Sequence, residues 1–247
     1  MQNKTKVSHL LLESNNLAWF YLKIKKMKQM YDDPKYYFKD LEMNNQLEIE
    51  IKESLKIEII TSVVQLAEIF GIYMKCFHDC KKVIHKKILN YGVNEVIDFY
   101  QNIDKKSIPY IRKMLGYPSF RQVLNKEMSN KLNESSKNVK LLLIRISKFY
   151  LKYRFLYNSL KHGLRVFPMF IGEDLKSESC TLVLTEKLNT VALYNLDLNE
   201  AVEIYEYMAI LLRNTMQVYR DRIIDKKLSY NAHIYSKSFD SEVITKE

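Results

Sequence analysis

Glycine and proline are scarce in this 247-residue chain, at five and four residues. That shortage argues for long uninterrupted helices with few tight turns. It also nearly excludes phosphate-cradling loops, and the sequence holds no G-x-G-x-x-G, Walker-type loop, H-E-x-x-H or nucleophile elbow. The three cysteines, Cys76, Cys80 and Cys180, are too few and too unevenly placed for a disulfide framework. Long apolar runs are missing as well. The uncharged stretch 59–67 falls far short of the roughly 20 residues that cross a bilayer. The opening "MQNKTKVSHLLLESNN" lacks an apolar core and a small-residue cleavage site, so no signal peptide is read and a cytoplasmic location is expected.

What is present points to a folded protein. Hydrophobic residues make up 47% and charged residues 28%, the balance of a soluble globular chain. The length fits one large domain or two small ones. Thirty-nine Lys and Arg against 29 Asp and Glu leave a net charge of +10. Such a charge favours an acidic partner, nucleic acid first, although an AT-rich codon bias toward surface lysine gives the same total.

Periodicity predicts an all-α fold, a helical bundle with one short β-hairpin insertion. Leu55, Ile59, Val63, Leu66, Phe70, Tyr73 and Phe77 step by threes and fours along one helical face. Further helices are expected over about 8–30 and 81–101, with a shorter one between Pro109 and Pro118. "YDDPKYY" and the polar stretch 125–138 read as loops or a frayed helix end. A long helix over about 138–162 presents Leu142, Ile146, Phe149, Tyr150, Tyr153, Leu156, Tyr157, Leu160 and Leu164 in one arc, and Gly163 ends it.

"CTLVL" and "TVALYNL", joined by "TEKLN", predict the hairpin. A last helix over about 199–226, with Asn199 as N-cap, carries a seven-position seam from Val202 to Ile223. That seam suits packing within the fold or across a dimer. The chain therefore divides into an N-terminal helical extension (1–49), one helical domain (50–228) and a polar, mobile tail (229–247).

Two features compete for chemistry. Cys76-Phe-His-Asp-Cys80 sets two thiols at i, i+4, but tetrahedral zinc needs four ligands and no second cysteine pair exists, so ordinary semi-buried thiols are expected and no metal. Paired acids such as Asp221 and Asp225 read as solvated faces. The second feature is stronger. Between Lys137 and Arg165 lie eight Lys or Arg and no Asp or Glu. A single-sign face lacks i, i+4 ion pairs and repels itself, so an anion is its natural complement.

Within that run Arg154, Asn158, Lys161 and His162 share one arc, opposite Leu142, Ile146 and Tyr153. Asn158 and His162 are i, i+4 neighbours, which lets the amide orient the imidazole. An imidazole that titrates near neutrality beside guanidinium groups suits general acid/base work at a phosphodiester. The alternative is that Lys161 and His162 simply complement the helix dipole.

The segment "YNSLKHG", near the end of a long helix and followed by a hairpin and another helix, resembles the HEPN superfamily. Asn158, Lys161, His162 and Gly163 match its Asn-x-x-Lys-His-Gly variant, and the resemblance covers about 50–225. It implies an all-α protein of bacterial toxin–antitoxin or antiviral defence that binds RNA, forms a homodimer, and takes an antitoxin or other defence protein as partner. Ribonuclease members place an R-x4-6-H pair in a cleft shared by two subunits. Here seven residues separate Arg154 from His162, one beyond that window.

The resemblance thus implies a metal-independent endoribonuclease without a cofactor. His162, Asn158 and Arg154 would be its catalytic set, and Lys152, Arg154, Lys161 and Arg165 would contact RNA. The other expectation is a catalytically inert binding or assembly subunit of a defence complex. No membrane partner is expected.

Overall fold

The computed structural model describes residues 17–79, 84–118, 125–161, 166–170, 179–184, 191–227 and 230–246. Eight α-helices run in the order α1 (Leu17–Asp32), α2 (Pro34–Tyr37), α3 (Asn45–Asp79), α4 (Ile84–Leu89), α5 (Val93–Gln101), α6 (Ile108–Met114), α7 (Lys126–Lys161) and α8 (Leu198–Tyr219) among the described residues. Strands β1 (Val166–Phe170), β2 (Ser179–Leu184) and β3 (Val191–Tyr194) fall between α7 and α8, and β4 (Tyr230–Tyr235) and β5 (Ser241–Lys246) follow. The protein is all-α with two small antiparallel sheets. It divides into two compact units, one of residues 16–66 and 152–205, the other of 1–15, 67–151 and 206–247. This division differs from the 1–49, 50–228 and 229–247 partition read from the sequence.

In the unit of residues 16–66 and 152–205, α1 buries Phe20, Ile24 and Met27, the i, i+4, i+7 stripe of an amphipathic helix. "DDPKYY" is no loop. Pro34 occupies the first turn of α2, and Asp33 caps it by accepting the Tyr36 N–H at 3.2 Å. Asn44 caps α3 in the same way, at 2.8 Å from the Leu47 nitrogen. The predicted hairpin is β2–β3, with Leu184 opposite Val191, and β1 adds a third antiparallel strand beside β2. The cap of α8 is Asp197, which accepts the Glu200 N–H at 2.9 Å, and the expected cap Asn199 lies inside the helix.

Helix α3 is apolar on more than the predicted face. Besides Ile59, Val63, Leu66, Phe70, Tyr73 and Phe77, it buries Ile60, Val64, Ala67 and Met74, so it is a core helix on nearly all sides. By length and composition α3 could cross a membrane, but 83% of its most apolar window is buried inside the protein.

The unit of residues 67–151 and 206–247 is built around Tyr100 of α5. Its hydroxyl donates to the Ala67 carbonyl at 2.5 Å, and its own carbonyl accepts from the Ser147 hydroxyl at 2.9 Å. The Tyr100 ring lies 4.7 Å from that of Tyr150. Gly71 permits this approach, because a Cβ there would sit 3.1 Å from the Tyr100 ring and 3.2 Å from Val96. The predicted helix 81–101 is broken into α4 and α5 around Tyr91 and Gly92. Gly116 ends α6 at φ +70°, and a Cβ there would lie 2.6 Å from Val218.

Two expectations fail together in this unit. Helix α7 begins at Lys126, capped by Asn125, so most of the polar stretch 125–138 is regular helix. Residues 230–246 form the hairpin β4–β5, where the sequence read a mobile tail. Each explains the other. Ser135, Ser136 and Asn138 are buried, and Ser135 Oγ accepts the Tyr235 N–H while the Asn138 amide donates to the Tyr235 carbonyl at 3.0 Å. Tyr117 of the same unit donates to the His233 carbonyl. The hairpin loop closes with Ser238 bonded to Asp240 at 2.7 Å, and the Phe239 ring rests 5.1 Å from Tyr207.

Candidate nucleic-acid interface

The acid-free basic run lies on α7, and its members occupy different environments. In the 67–151 and 206–247 unit, Lys137 pairs with Glu134 at 3.4 Å, an acid one turn before the run begins. Lys148 is exposed, and Lys140 and Arg145 are half-buried. Exposed pairs such as Lys137–Glu134 contribute little to stability, so this stretch keeps its cationic character.

In the other unit, Arg154 and Asn158 are half-exposed and have no side-chain partner among the described residues. Lys161, in the last turn, is exposed with its ammonium 5.8 Å from the Tyr157 ring centroid. These three stand within about 60° of one another around the axis, at 100° per residue. The last-turn position of Lys161 also complements the negative end of the helix dipole. The remaining two site residues of the sequence reading, His162 and Arg165, lie outside the described residues. Leu156 is buried and Tyr157 and Leu160 are half-buried, which agrees with the apolar arc.

Lys152 separates from this set. It stands about 160° around the helix from Arg154 and lines an open cleft of about 660 Å³. Lys28, Tyr31 and Asp32 of α1, Lys56 of α3 and the segment Asn195–Asn199 complete the lining. The cleft lies wholly within the 16–66 and 152–205 unit. The Lys152 ammonium sits 4.6 Å from the Tyr153 ring centroid. Tyr153 holds it above its ordinary value against the effect of burial, with further help from Glu200 and Asp197. The Tyr153 hydroxyl donates to the Asn195 carbonyl at 3.2 Å, which fixes the chain entering α8 beside Lys152.

The other cations of the cleft are ion-paired. Lys28 meets Asp32 at 2.5 Å, and Lys56 meets the buried carboxylate of Glu53 at 2.7 Å. The first pair is half-exposed and readily exchanged for another anion, whereas the second belongs to the fold. Three ammonium groups thus meet the carboxylates of Asp32, Glu53 and Asp197, and Lys28 and Lys152 are the cations of the lining that an outside anion can engage. Sequence reasoning could not find this cleft, because α1, α3, α7 and the entry to α8 bring its residues together from distant parts of the chain.

The remaining sequence features are structural. Cys76 is buried in the core, and Cys80 lies outside the described residues. The His78 ring stacks on Tyr110 at 3.8 Å. Among the described residues no group of three His, Cys, Asp or Glu is placed to hold a metal ion. Asp221 is buried, contrary to the expected solvated face. Burial pushes its carboxyl up, yet Lys227 at 2.6 Å, Gln217 at 2.9 Å and the charge of Arg220 together hold it below its ordinary value. Of the α8 seam, Tyr205, Leu212, Met216 and Tyr219 are buried, Val202 and Ala209 are half-buried, and Phe77 lies 5.0 Å from Tyr219.

Comparison with protein families, curated proteins and solved structures returns no match.

Proposed function

We propose that this protein is a HEPN-like RNA-binding protein of bacterial defence or toxin type, which cleaves RNA by metal-independent acid/base chemistry. The observation that carries the reading is the pair Arg154 and Asn158. A guanidinium and an amide stand on one arc of α7 without side-chain partners among the described residues, next to the Lys161–His162–Gly163 end of the motif. A guanidinium and an amide on one helical arc suit an anionic ligand that develops charge. In this reading His162 moves the proton at the 2′-hydroxyl and the leaving oxygen, and Asn158 orients its ring. Arg154 or Arg165 stabilises the phosphorane. Two copies would face each other across the cleavage site, with an antitoxin or related defence protein as the controlling partner.

The test is His162→Ala. General acid/base catalysis contributes about 100- to 10,000-fold, so RNA cleavage and any growth arrest should be nearly abolished. Asn158→Ala should give a partial loss. Light scattering should return twice the chain mass of 29.5 kDa at micromolar concentration, and the monomer mass at all concentrations would remove the shared site.

The seven-residue interval between Arg154 and His162 favours a second reading, an inert binding or assembly subunit of the same type. Purified protein that leaves RNA intact with and without His162, yet binds it or a partner, decides for that reading.

A further inference from the structure

We propose that the cleft lined by Lys28, Tyr31, Lys56, Lys152, Asp197 and Asn199 is a nucleotide-binding pocket, separate from the Arg154–Asn158–Lys161 arc. Its chemistry matches the three parts of a nucleotide. Lys152, and Lys28 once it leaves Asp32, come from different helices and provide the phosphate end. Tyr31 is half-buried and lines the cleft with its ring, 5.7 Å from the Lys28 ammonium, and an aromatic ring in a cleft is a surface on which any base can stack. The amides of Asn195 and Asn199 each carry a donor and an acceptor for a base edge or a ribose hydroxyl.

The volume of about 660 Å³ falls in the ordinary range for small-ligand pockets. The polar lining excludes a lipid or an apolar cofactor. The cleft also contains the start of α8, where the first backbone N–H groups have no partner inside the helix. Asp197 uses one carboxylate oxygen to hold the Glu200 N–H, and its charge limits how much negative charge the pocket accepts. A monophosphate or a phosphodiester fits that balance, and a triphosphate does not. Lys28 can leave Asp32 for the phosphate at little cost, since a half-exposed i, i+4 pair is weak.

A nucleotide can reach this pocket free in solution or as one unit of an RNA strand. Only the second source rests on the RNA reading above. Calorimetry on the full chain with AMP, UMP, inorganic phosphate and a short single-stranded RNA separates them. Lys152→Gln should weaken nucleotide binding about tenfold or more, as expected for a lost charge-assisted contact. Tyr31→Leu should weaken nucleotide binding while sparing inorganic phosphate. Both side chains lie at the surface of the cleft, and circular dichroism checks that the variants stay folded.

If AMP or UMP binds with these dependences and RNA does not bind, the pocket stands and the RNA reading falls. If only RNA binds and both cleft variants weaken it, the pocket takes a strand nucleotide. If RNA binding responds to Arg154→Gln and Lys161→Gln but not to the cleft variants, the pocket is overturned and the RNA reading survives. Binding of neither nucleotide nor RNA overturns both.

Discussion

Ser135 Oγ accepts the backbone N–H of Tyr235 at 2.8 Å, across 100 residues of sequence. The same hydroxyl meets the Tyr117 hydroxyl at 2.8 Å, so one small side chain ties α7, the segment after α6 and β4 together. Ser135→Ala leaves a buried N–H without an acceptor, which costs about 1–3 kcal/mol. Urea unfolding should show that loss, and hydrogen exchange at the Tyr235 amide should accelerate. Ser238→Ala, on the exposed loop of the same hairpin, should change stability by less than about 0.5 kcal/mol. Equal effects from the two variants would contradict the clamp.

The second expectation concerns acid. Lys87 and Lys75 bond to the Glu95 carboxylate at 2.7 and 2.9 Å and hold it from its ordinary 4.5 down to about 2. A depressed carboxyl stabilises the fold fully above its unfolded value. That contribution disappears as pH falls from about 4.5 through about 2. Stability of the wild-type chain should therefore decline over this interval, and Glu95→Gln should lose part of that decline. Glu95 is about one-third exposed, so solvent screens the pairs and the effect is modest. Identical acid profiles for the two proteins would dismiss the linkage.

Gly71→Ala tests the packing of α5 on α3. Alanine favours helix over glycine by about 1 kcal/mol. Here the added methyl meets the Tyr100 ring and Val96 at about 3.1 to 3.2 Å, and overpacking of a filled core costs about 1–3 kcal/mol. Thermal melting should show net destabilisation, and the double variant Gly71→Ala with Val96→Ala should recover part of it. A stabilised single variant would mean that the ring yields freely.

RNA affinity should fall steeply with salt, since each neutralised phosphate of a single strand contributes about −0.7 to the log–log slope. Arg154→Glu with Lys161→Glu should weaken binding and flatten that slope by more than Lys105→Glu with Lys126→Glu, which alters the charge equally at exposed positions elsewhere. Equal losses from the two pairs would assign binding to net charge alone.

The core of the fold was legible where apolar residues recur with helical spacing, as in 55–77, 142–156 and 202–219. The β2–β3 hairpin was legible from its two β-branched runs and the polar turn between them. What escaped was polar burial. Ser135, Ser136 and Asn138 resemble loop residues because their partners, the backbone of distant Tyr235 for Ser135 and Asn138 and the Leu132 carbonyl one turn back for Ser136, exist only once the helix is folded against the hairpin. "YNAHIY" and "SEVITK" around "SKSFD" did hold a hairpin signal, concealed by the polarity of the alternate positions. At the candidate site, helical spacing placed Arg154, Asn158 and Lys161 together. Spacing along one helix could not reveal that Lys152 belongs to a cleft completed by α1, α3 and the entry to α8.

The contact at Gly71 has an evolutionary consequence. Tyr100 is pinned at its hydroxyl by the Ala67 carbonyl and at its backbone by Ser147, so its ring cannot retreat from position 71. Related chains should vary at positions 71, 96 and 100 only in concert: a side chain gained at 71 would accompany a smaller residue at 96 or a lost ring at 100. Covariation among these three positions would trace the descent of this unit even where the motif at the end of α7 has drifted beyond recognition.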